Sequence, residues 1–360
     1  TTEIYTLSLH DALPISRLLE VKVYPNEVQL TSKRDFQGLI VQAKYDDRTT
    51  RDATGRAEYR IENERVARWE RGALRPVGDG DARLIARLDG HEVIVPIKVT
   101  SATNDPPVSF KRDVMPAFMR ANCNSGGCHG SARGQDGFRL SLFGFDPDGD
   151  YFRLTRESPG RRIDLARPEE SLLLAKATGR VTHTGGRLFG EDSTLYETML
   201  EWIRAGAPED PAGLPSPVAL EVFPPGMVME GSGRPQQLVA RVRYSDGTDR
   251  DVTGEALFLS SNPSSASVSE RGRVLSARPG EAFVMARYAT FTVGVPAIVV
   301  PEGSPRDVPE APANNYFDQL INAKLAKLRI PPSDPRDEAA VVRRALNHTH
   351  GPLTNRAGVG

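Results

Sequence analysis

The two cysteines of this chain lie in one short stretch, Cys123-Asn-Ser-Gly-Gly-Cys128, and His129 follows at once. Two thiols beside an imidazole are the arrangement that attaches a c-type haem: the thiols form thioethers with the porphyrin, and the histidine ligates the iron. The usual motif has about two residues between its cysteines, whereas this one has four. The stretch therefore predicts a covalent haem c anchored by Cys123 and Cys128, with His129 as the proximal ligand.

A haem iron has a second axial position, and the sequence offers three ways to fill it. The loop before the last predicted helix of this region contains His183. Methionine is the other common ligand, but the helical spacing of Met115, Met119 and Met199 places all three in a core. The third possibility is an open or water-filled position. We expect His183 to be the ligand, so that His129 and His183 bind the metal; bis-histidine ligation gives a lower potential than histidine–methionine ligation.

The same residues also permit arrangements without haem. Cys123 and Cys128 can form a small disulfide, which would make this region a stapled structural connector. Alternatively, both cysteines with His129 and His183 can form a tetrahedral zinc site, although adjacent ligands at 128 and 129 strain that geometry.

Other polar clusters are better explained as structure. Asp52 and Asp251 each precede a Thr-Gly or an equivalent turn sequence, and we expect their carboxylates to close turns. Residues 146–150 alternate aspartate with proline and glycine, but they lack the full calcium ligand set, so a solvated turn is expected. His348 and His350 could form a metal pair, but we expect a disordered terminal segment. No catalytic signature is present, so no enzyme class is predicted.

Composition restricts the kinds of partner. The formal net charge of −1 argues against a nucleic-acid binder. No apolar run approaches the roughly 20 residues of a membrane span. Two cysteines in 360 residues do not make a disulfide scaffold.

A repeat surrounds the cysteine stretch. Residues 17–101 and 217–300 share matching sequences at a spacing of 199 to 200 positions, with alternating apolar residues and Gly/Asp turns. This pattern is typical of short strands in an all-β sandwich. Arg243-Tyr-Ser-Asp-Gly-Thr and Arg250-Asp-Val-Thr-Gly, with their counterparts near 44–55, resemble the group 2 bacterial immunoglobulin-like domain. The resemblance implies exported spacer or adhesive modules that contact a cell-surface polymer or protein.

The region between the repeats, residues 105–212, has a different pattern. Phe110, Val114 and Phe118 recur at helical spacing before Cys123, and Ser193 is a suitable N-cap for a closing helix. Phe118 and Trp202 are expected to pack between helices, with contact to a haem edge as the alternative. The region resembles the cytochrome-like module of large exported bacterial proteins, which implies haem, export and an unknown redox partner.

Together these features predict a fold class of all-β plus all-α: two Ig-like β-sandwiches flanking a small helical cytochrome c-like domain. Residues 1–16 resemble a non-native segment, so an export signal is expected to be missing, and a periplasmic or cell-surface location is predicted. Residues 301–313 form a Pro/Glu-rich linker, and residues 314–360 resemble the truncated start of an uncharacterised helical domain. The predicted function is haem binding with electron transfer; the alternative is a cell-envelope binding or adhesion protein with a haem-free connector.

Overall fold

The computed structural model describes residues 16–305, 308–309, 311–332 and 342–343. The chain divides into two compact units, residues 1–303 and 304–360. The predicted segment 1–16, apart from Ser16, and both His348 and His350 lie outside the described residues.

Residues 17–101, here called module 1, form ten strands. Alternation of buried and exposed side chains produces them, as in β1, where Val21 and Val23 face inward and Glu20 and Lys22 face outward. The strands are β1 Leu18–Tyr24, β2 Val28–Leu30, β3 Gln37–Gly38, β4 Ile40–Tyr45, β5 Thr50–Asp52, β6 Glu58–Ile61, β7 Ala67–Glu70, β8 Ala73–Pro76, β9 Gly80–Leu88 and β10 His91–Val99. They pair as three sheets with the orders β1-β4-β5, β2-β10-β9-β6 and β3-β8-β7.

Residues 217–300, here called module 2, repeat this arrangement. The strands are β11 Pro217–Phe223, β12 Met227–Glu230, β13 Pro235–Gln237, β14 Val239–Tyr244, β15 Asp249–Asp251, β16 Leu257–Ser260, β17 Ala266–Val268, β18 Arg273–Ser276, β19 Gly280–Tyr288 and β20 Phe291–Val300. The sheet orders are β11-β14-β15, β12-β20-β19-β16 and β13-β18-β17, strand for strand those of module 1. Each module encloses a separate hydrophobic core made of its own residues.

Residues 105–212, here called the central segment, contain short helices joined by irregular loops. A π-helical turn at Phe110–Val114 continues into α1 at Met115–Arg120. The later elements are a 3₁₀ turn at Leu142–Gly144, α2 Pro147–Thr155, a 3₁₀ turn at Pro168–Glu170, α3 Leu172–Ala177 and α4 Thr194–Arg204. The Ser193 side chain accepts a hydrogen bond from the Tyr196 amide, which confirms the predicted cap of the closing helix.

The predicted fold class is wrong in its helical part. Strand residues outnumber helical residues in the described part of the chain, and the longest helix of the central segment, α4, has only 11 residues. The physical reason lies between α1 and α4, where Gly134, Gly137, Gly160 and Gly179 all take positive φ and interrupt the chain. The segment is therefore a loop-rich connector with helical turns, not a cytochrome c-like helical domain. The electron-transfer role predicted from such a domain loses its structural basis with this correction.

The central segment packs against both modules. Arg34 of module 1 forms an ion pair with Glu201 on α4, at 2.6 Å between Nη2 and Oε1. On the other side, Arg250 of module 2 pairs with Asp113 at 2.7 Å, and Arg120 donates to the Ala256 carbonyl at 2.9 Å. The two modules thus hold the helical turns of the central segment from two sides.

The second unit contains one long described helix, α5 at Tyr316–Leu328. The helical spacing of its apolar residues predicted it, and the Asn315 side chain caps it by accepting from the Asp318 amide at 3.0 Å. No helix in the described part of the chain is both long enough and apolar enough to cross a membrane.

Candidate functional site

Cys123, Cys128, His129 and His183 all line one cavity of about 320 Å³ in the central segment. Apolar atoms form most of its surface, to which Phe118 contributes, and charged side chains such as Arg162 and Lys176 also line it. Sequence reasoning named these four polar residues from two separate loops, and the structure brings them together. We call this space the Cys–His cavity.

The end of α1 and a glycine-rich turn position the first three residues. The Cys123 amide donates to the Phe118 carbonyl at 2.9 Å, so the chain leaves the helix directly into the loop. The His129 amide then donates back to the Cys123 carbonyl at 3.0 Å. A Cβ at Gly130 would overlap the Asn124 carbonyl. Glycine is therefore needed at Gly130 for the loop to close on itself.

Both histidines have one ring nitrogen held by a backbone carbonyl. His129 Nδ1 lies 2.9 Å from the Phe138 carbonyl oxygen, and His183 Nδ1 lies 3.1 Å from that of Gly186. Because a carbonyl only accepts, each Nδ1 carries the proton, and each Nε2 keeps a free lone pair when the ring is neutral. Burial also lowers the pKa of His129, against the opposing effect of the Phe138 carbonyl, and so favours the neutral imidazole.

The two imidazole rings are parallel and lie close together. Their centroids are 6.2 Å apart and their planes differ by 5°. Metal–imidazole bonds are about 2 Å long, so two imidazoles on opposite sides of one metal ion have ring centres roughly 6 Å apart. The ring separation matches that distance, whereas the parallel planes are those of a stacked pair.

Cys123 and Cys128 are both free thiols in the described structure, so the alternative of a disulfide staple is not what the structure shows. Burial raises the pKa of Cys123 to about 12. A thiol with such a pKa stays protonated at neutral pH, and Cys123 is therefore not a thiolate nucleophile.

The prediction of a metal-binding group made of protein side chains alone is wrong. Within the described ranges, no group of three or more His, Cys, Asp or Glu residues is placed to hold a metal ion, so the zinc alternative also fails. Two imidazoles alone do not enclose an ion. A metal at this position would have to bring its own equatorial ligands.

The other candidates for the second axial position lie elsewhere. Met199 has 0% of its surface exposed, and it packs with Met115 in the hydrophobic core of the central segment. Neither these two nor Met119 lines the Cys–His cavity. Trp202 is likewise buried in that core, where its indole donates to the Pro208 carbonyl at 3.0 Å.

The aspartates set aside from the sequence have structural partners. Asp146 caps α2 by accepting from the Gly149 amide at 3.1 Å. Asp148 pairs with Lys111 at 2.7 Å. Asp150 is fully buried and pairs with Arg153 at 2.9 Å. These contacts leave no calcium loop, and the buried Asp150 also differs from the solvated turn that was expected.

Sequence reasoning missed Phe138. Its carbonyl orients His129, its ring packs against that imidazole at 4.8 Å, and Arg162 lies over the ring at 4.6 Å. A backbone acceptor leaves no signal in residue types, so only the apolar character of this position could have indicated its place in the wall.

Comparisons with known proteins give little further information. No protein-family model and no curated protein matches the chain. Among solved structures, domains 1–6 of the surface-layer protein SbsC share 11% identity at a TM-score of 0.23, covering 80% of this chain and 29% of that one. Domains 5–6 of SbsC share 12% identity at 0.31, covering 79% and 99%. A chimeric titin Z1Z2 shares 8% at 0.16, covering 80% and 98%. TM-scores this low do not establish a shared fold.

Proposed function

We propose that the chain is a cell-envelope binding or adhesion protein, located in the periplasm or on the cell surface. The observation that carries the proposal is the presence of two β-sandwich modules with one strand order, held on a common support. The sequence resemblance of both modules to bacterial immunoglobulin-like domains supports export and contact with a cell-surface polymer or protein.

The two modules present different outer faces. On the β16–β19 face of module 2, Leu259 is 44% exposed and Phe283 is 49% exposed. At the equivalent positions of module 1, as defined by strand register, the residues are Arg60 and Arg83. Exposed apolar residues grouped on one face mark interaction surfaces more often than scattered ones do. Module 2 is therefore the better candidate for the contacting surface.

The experiment is a sedimentation assay of the purified chain with cell-wall sacculi and with membrane vesicles from a bacterial envelope. Leu259→Ser with Phe283→Ser is expected to reduce binding by about tenfold, and the matched variant Arg60→Ser with Arg83→Ser is expected to leave it within about twofold. Equal loss in both variants, or no binding of the unmodified chain to either fraction, contradicts the proposal.

A second candidate function follows from the parallel histidines. We infer that the Cys–His cavity takes a covalent haem c, with Cys123 and Cys128 as thioether anchors and His129 and His183 as axial ligands. Most of the wall surface is apolar, a backbone carbonyl holds Nδ1 of each ring and leaves Nε2 for a ligand, and the ring separation matches that of two imidazoles on one ion. Such an ion needs equatorial ligands of its own, which a porphyrin provides. Haem would supply a redox-active iron at this position.

The test is co-expression with a haem-attachment system, followed by absorption spectra of the denatured protein. Haem is expected to stay attached, and Cys123→Ala with Cys128→Ala is expected to abolish attachment. His183→Ala should convert a six-coordinate low-spin spectrum to a five-coordinate one, while the exposed control His91→Ala should not. If the purified protein retains no haem, this candidate function is refuted. If the spectrum of His183→Ala is unchanged, His183 is not the second ligand.

A further inference from the structure

The two modules contact each other through matching residues. Equivalent positions in the repeat differ by 199, so Asp52 corresponds to Asp251 and Gly38 to Gln237. The Gly38 amide donates to Asp251 Oδ2 at 2.8 Å, and the Gln237 amide donates to Asp52 Oδ2 at 2.7 Å. Each module thus supplies a carboxylate to a strand amide of the other. This reciprocity is the signature of a two-fold interface between like surfaces.

A second pair of contacts follows the same symmetry. The Gln42 side chain donates to the Gly226 carbonyl at 2.9 Å. Its equivalent, Arg241, donates to the Glu27 carbonyl at 3.1 Å. Glu27 and Gly226 are themselves equivalent positions. The interface therefore tolerates a change of side chain from glutamine to arginine while keeping its geometry, because the acceptor is backbone in both cases.

At the centre of the interface, a residue of module 1 contacts the residue at the equivalent position of module 2. Tyr24 and Phe223 stack with ring centroids 5.8 Å apart and planes 19° from parallel. In a two-fold arrangement, only residues on the axis contact their own counterparts. An aromatic pair at the centre, surrounded by charge-assisted hydrogen bonds to backbone, is also the usual anatomy of a specific protein interface.

The carboxylates have two functions at once. Oδ1 of Asp52 accepts from the Thr54 amide at 2.9 Å, and Oδ1 of Asp251 accepts from the Thr253 amide at the same distance. These bonds confirm the predicted turn closure. They also orient Oδ2 outward, toward the other module, so the turn sequence of the repeat places the interface acceptor.

From these contacts we infer that the repeat carries a homotypic pairing surface whose partner is a second copy of the same β module. In this chain modules 1 and 2 occupy the surface for each other. The effective concentration of tethered partners favours the internal pair over any external one, so the chain is monomeric until one half of the surface is damaged. The freed module then pairs with the freed module of a second chain.

The experiment uses the full chain in sedimentation-velocity runs. Phe223→Glu with Asp251→Asn damages module 2, and Tyr24→Glu with Asp52→Asn is the matched variant in module 1. Each is expected to form a dimer through its intact module, while the unmodified chain and the variant with all four substitutions are expected to stay monomeric. The inference is overturned if both double-substitution variants remain monomeric, or if the variant with all four substitutions still forms a dimer.

Hydrogen exchange gives a second measurement with milder changes. Asp251→Asn alone is expected to speed exchange of the Gly38 amide by about tenfold, and Asp52→Asn that of the Gln237 amide, since each loses a charge-assisted hydrogen bond. Unchanged protection of these amides shows that the carboxylates do not hold the pair and refutes the inference even where the double substitutions fail to fold.

Discussion

Asp249 on β15 makes the stability of module 2 depend on pH. Its Oδ2 lies 3.4 Å from Arg241 Nη1, whereas its buried Oδ1 has no hydrogen-bond partner among the described residues. Burial raises the pKa of Asp249 from its ordinary 3.8 to about 6, against the opposing charge of Arg241. Between these two values the folded chain binds more protons than the unfolded chain. The free energy of unfolding therefore falls as pH rises through this window.

The size of the effect follows from the same values. The difference between 3.8 and about 6 corresponds to a ceiling of about 3 kcal/mol, at about 1.36 kcal/mol per pKa unit. Asp249→Asn keeps the shape and removes the charge at every pH. The variant is therefore expected to gain about 1–3 kcal/mol relative to the unmodified chain on going from pH 4 to pH 7.5. Arg241 keeps its ion pair with Glu221 at 2.9 Å.

The assay is equilibrium urea unfolding followed by circular dichroism at both pH values. Asp246→Asn is the control in the same hairpin. Burial acts to raise the pKa of Asp246, but the hydrogen bonds from Thr248 outweigh burial, so the pKa is lowered. A lowered pKa stabilises the folded state above the ordinary value, so this variant should lose stability at pH 7.5 relative to acid. An Asp249→Asn effect that is the same at both pH values, or of the control's sign, refutes the reasoning.

Three further substitutions test the central segment. Gly130→Ala should lower the melting temperature and disrupt the cysteine loop because its Cβ would overlap the Asn124 carbonyl. Gly127→Ala is the control and should do neither, since nothing lies within 4 Å of its Cβ. Calorimetry compares the melting temperatures of the two variants. Ser193→Ala removes the cap of α4 and should cost about 1 kcal/mol in urea unfolding; no loss would show that the cap is dispensable. Trp202→Ala empties a fully buried site and should cost about 3–5 kcal/mol by the same measurement, and a cost below that of the cap change would contradict this packing.

The helices of the central segment show how far local pattern extends. The spacing of Phe110, Val114 and Phe118, and the capping serine at Ser193, were sufficient to predict helices there because they act within a few residues. The same reasoning failed for the segment as a whole. Its glycines at positive φ interrupt the chain between the helices. Correct predictions of the first and last helices therefore did not predict the irregular loops between them.

The residues of the Cys–His cavity illustrate a similar limit. Residue types identified Cys123, Cys128 and His129 as a local motif, and His183 by its position before the last helix. Whether the distant loop reaches the motif depends on packing, and the parallel rings 6.2 Å apart are a property of the folded chain. The backbone carbonyls of Phe138 and Gly186 that orient these rings could not be predicted, because every residue carries a carbonyl.

By itself, the sequence determined the repeat, the alternation that makes its strands, the turn function of Asp52 and Asp251, and the two cysteines and two histidines that line the cavity. All of these depend on residue spacing, either within a few residues or between the two copies of the repeated sequence. Tertiary structure alone decided that the second oxygen of each aspartate crosses to the other module, and that Tyr24 meets its own counterpart, Phe223. Such contacts join residues about 200 positions apart, where only packing selects which surfaces meet.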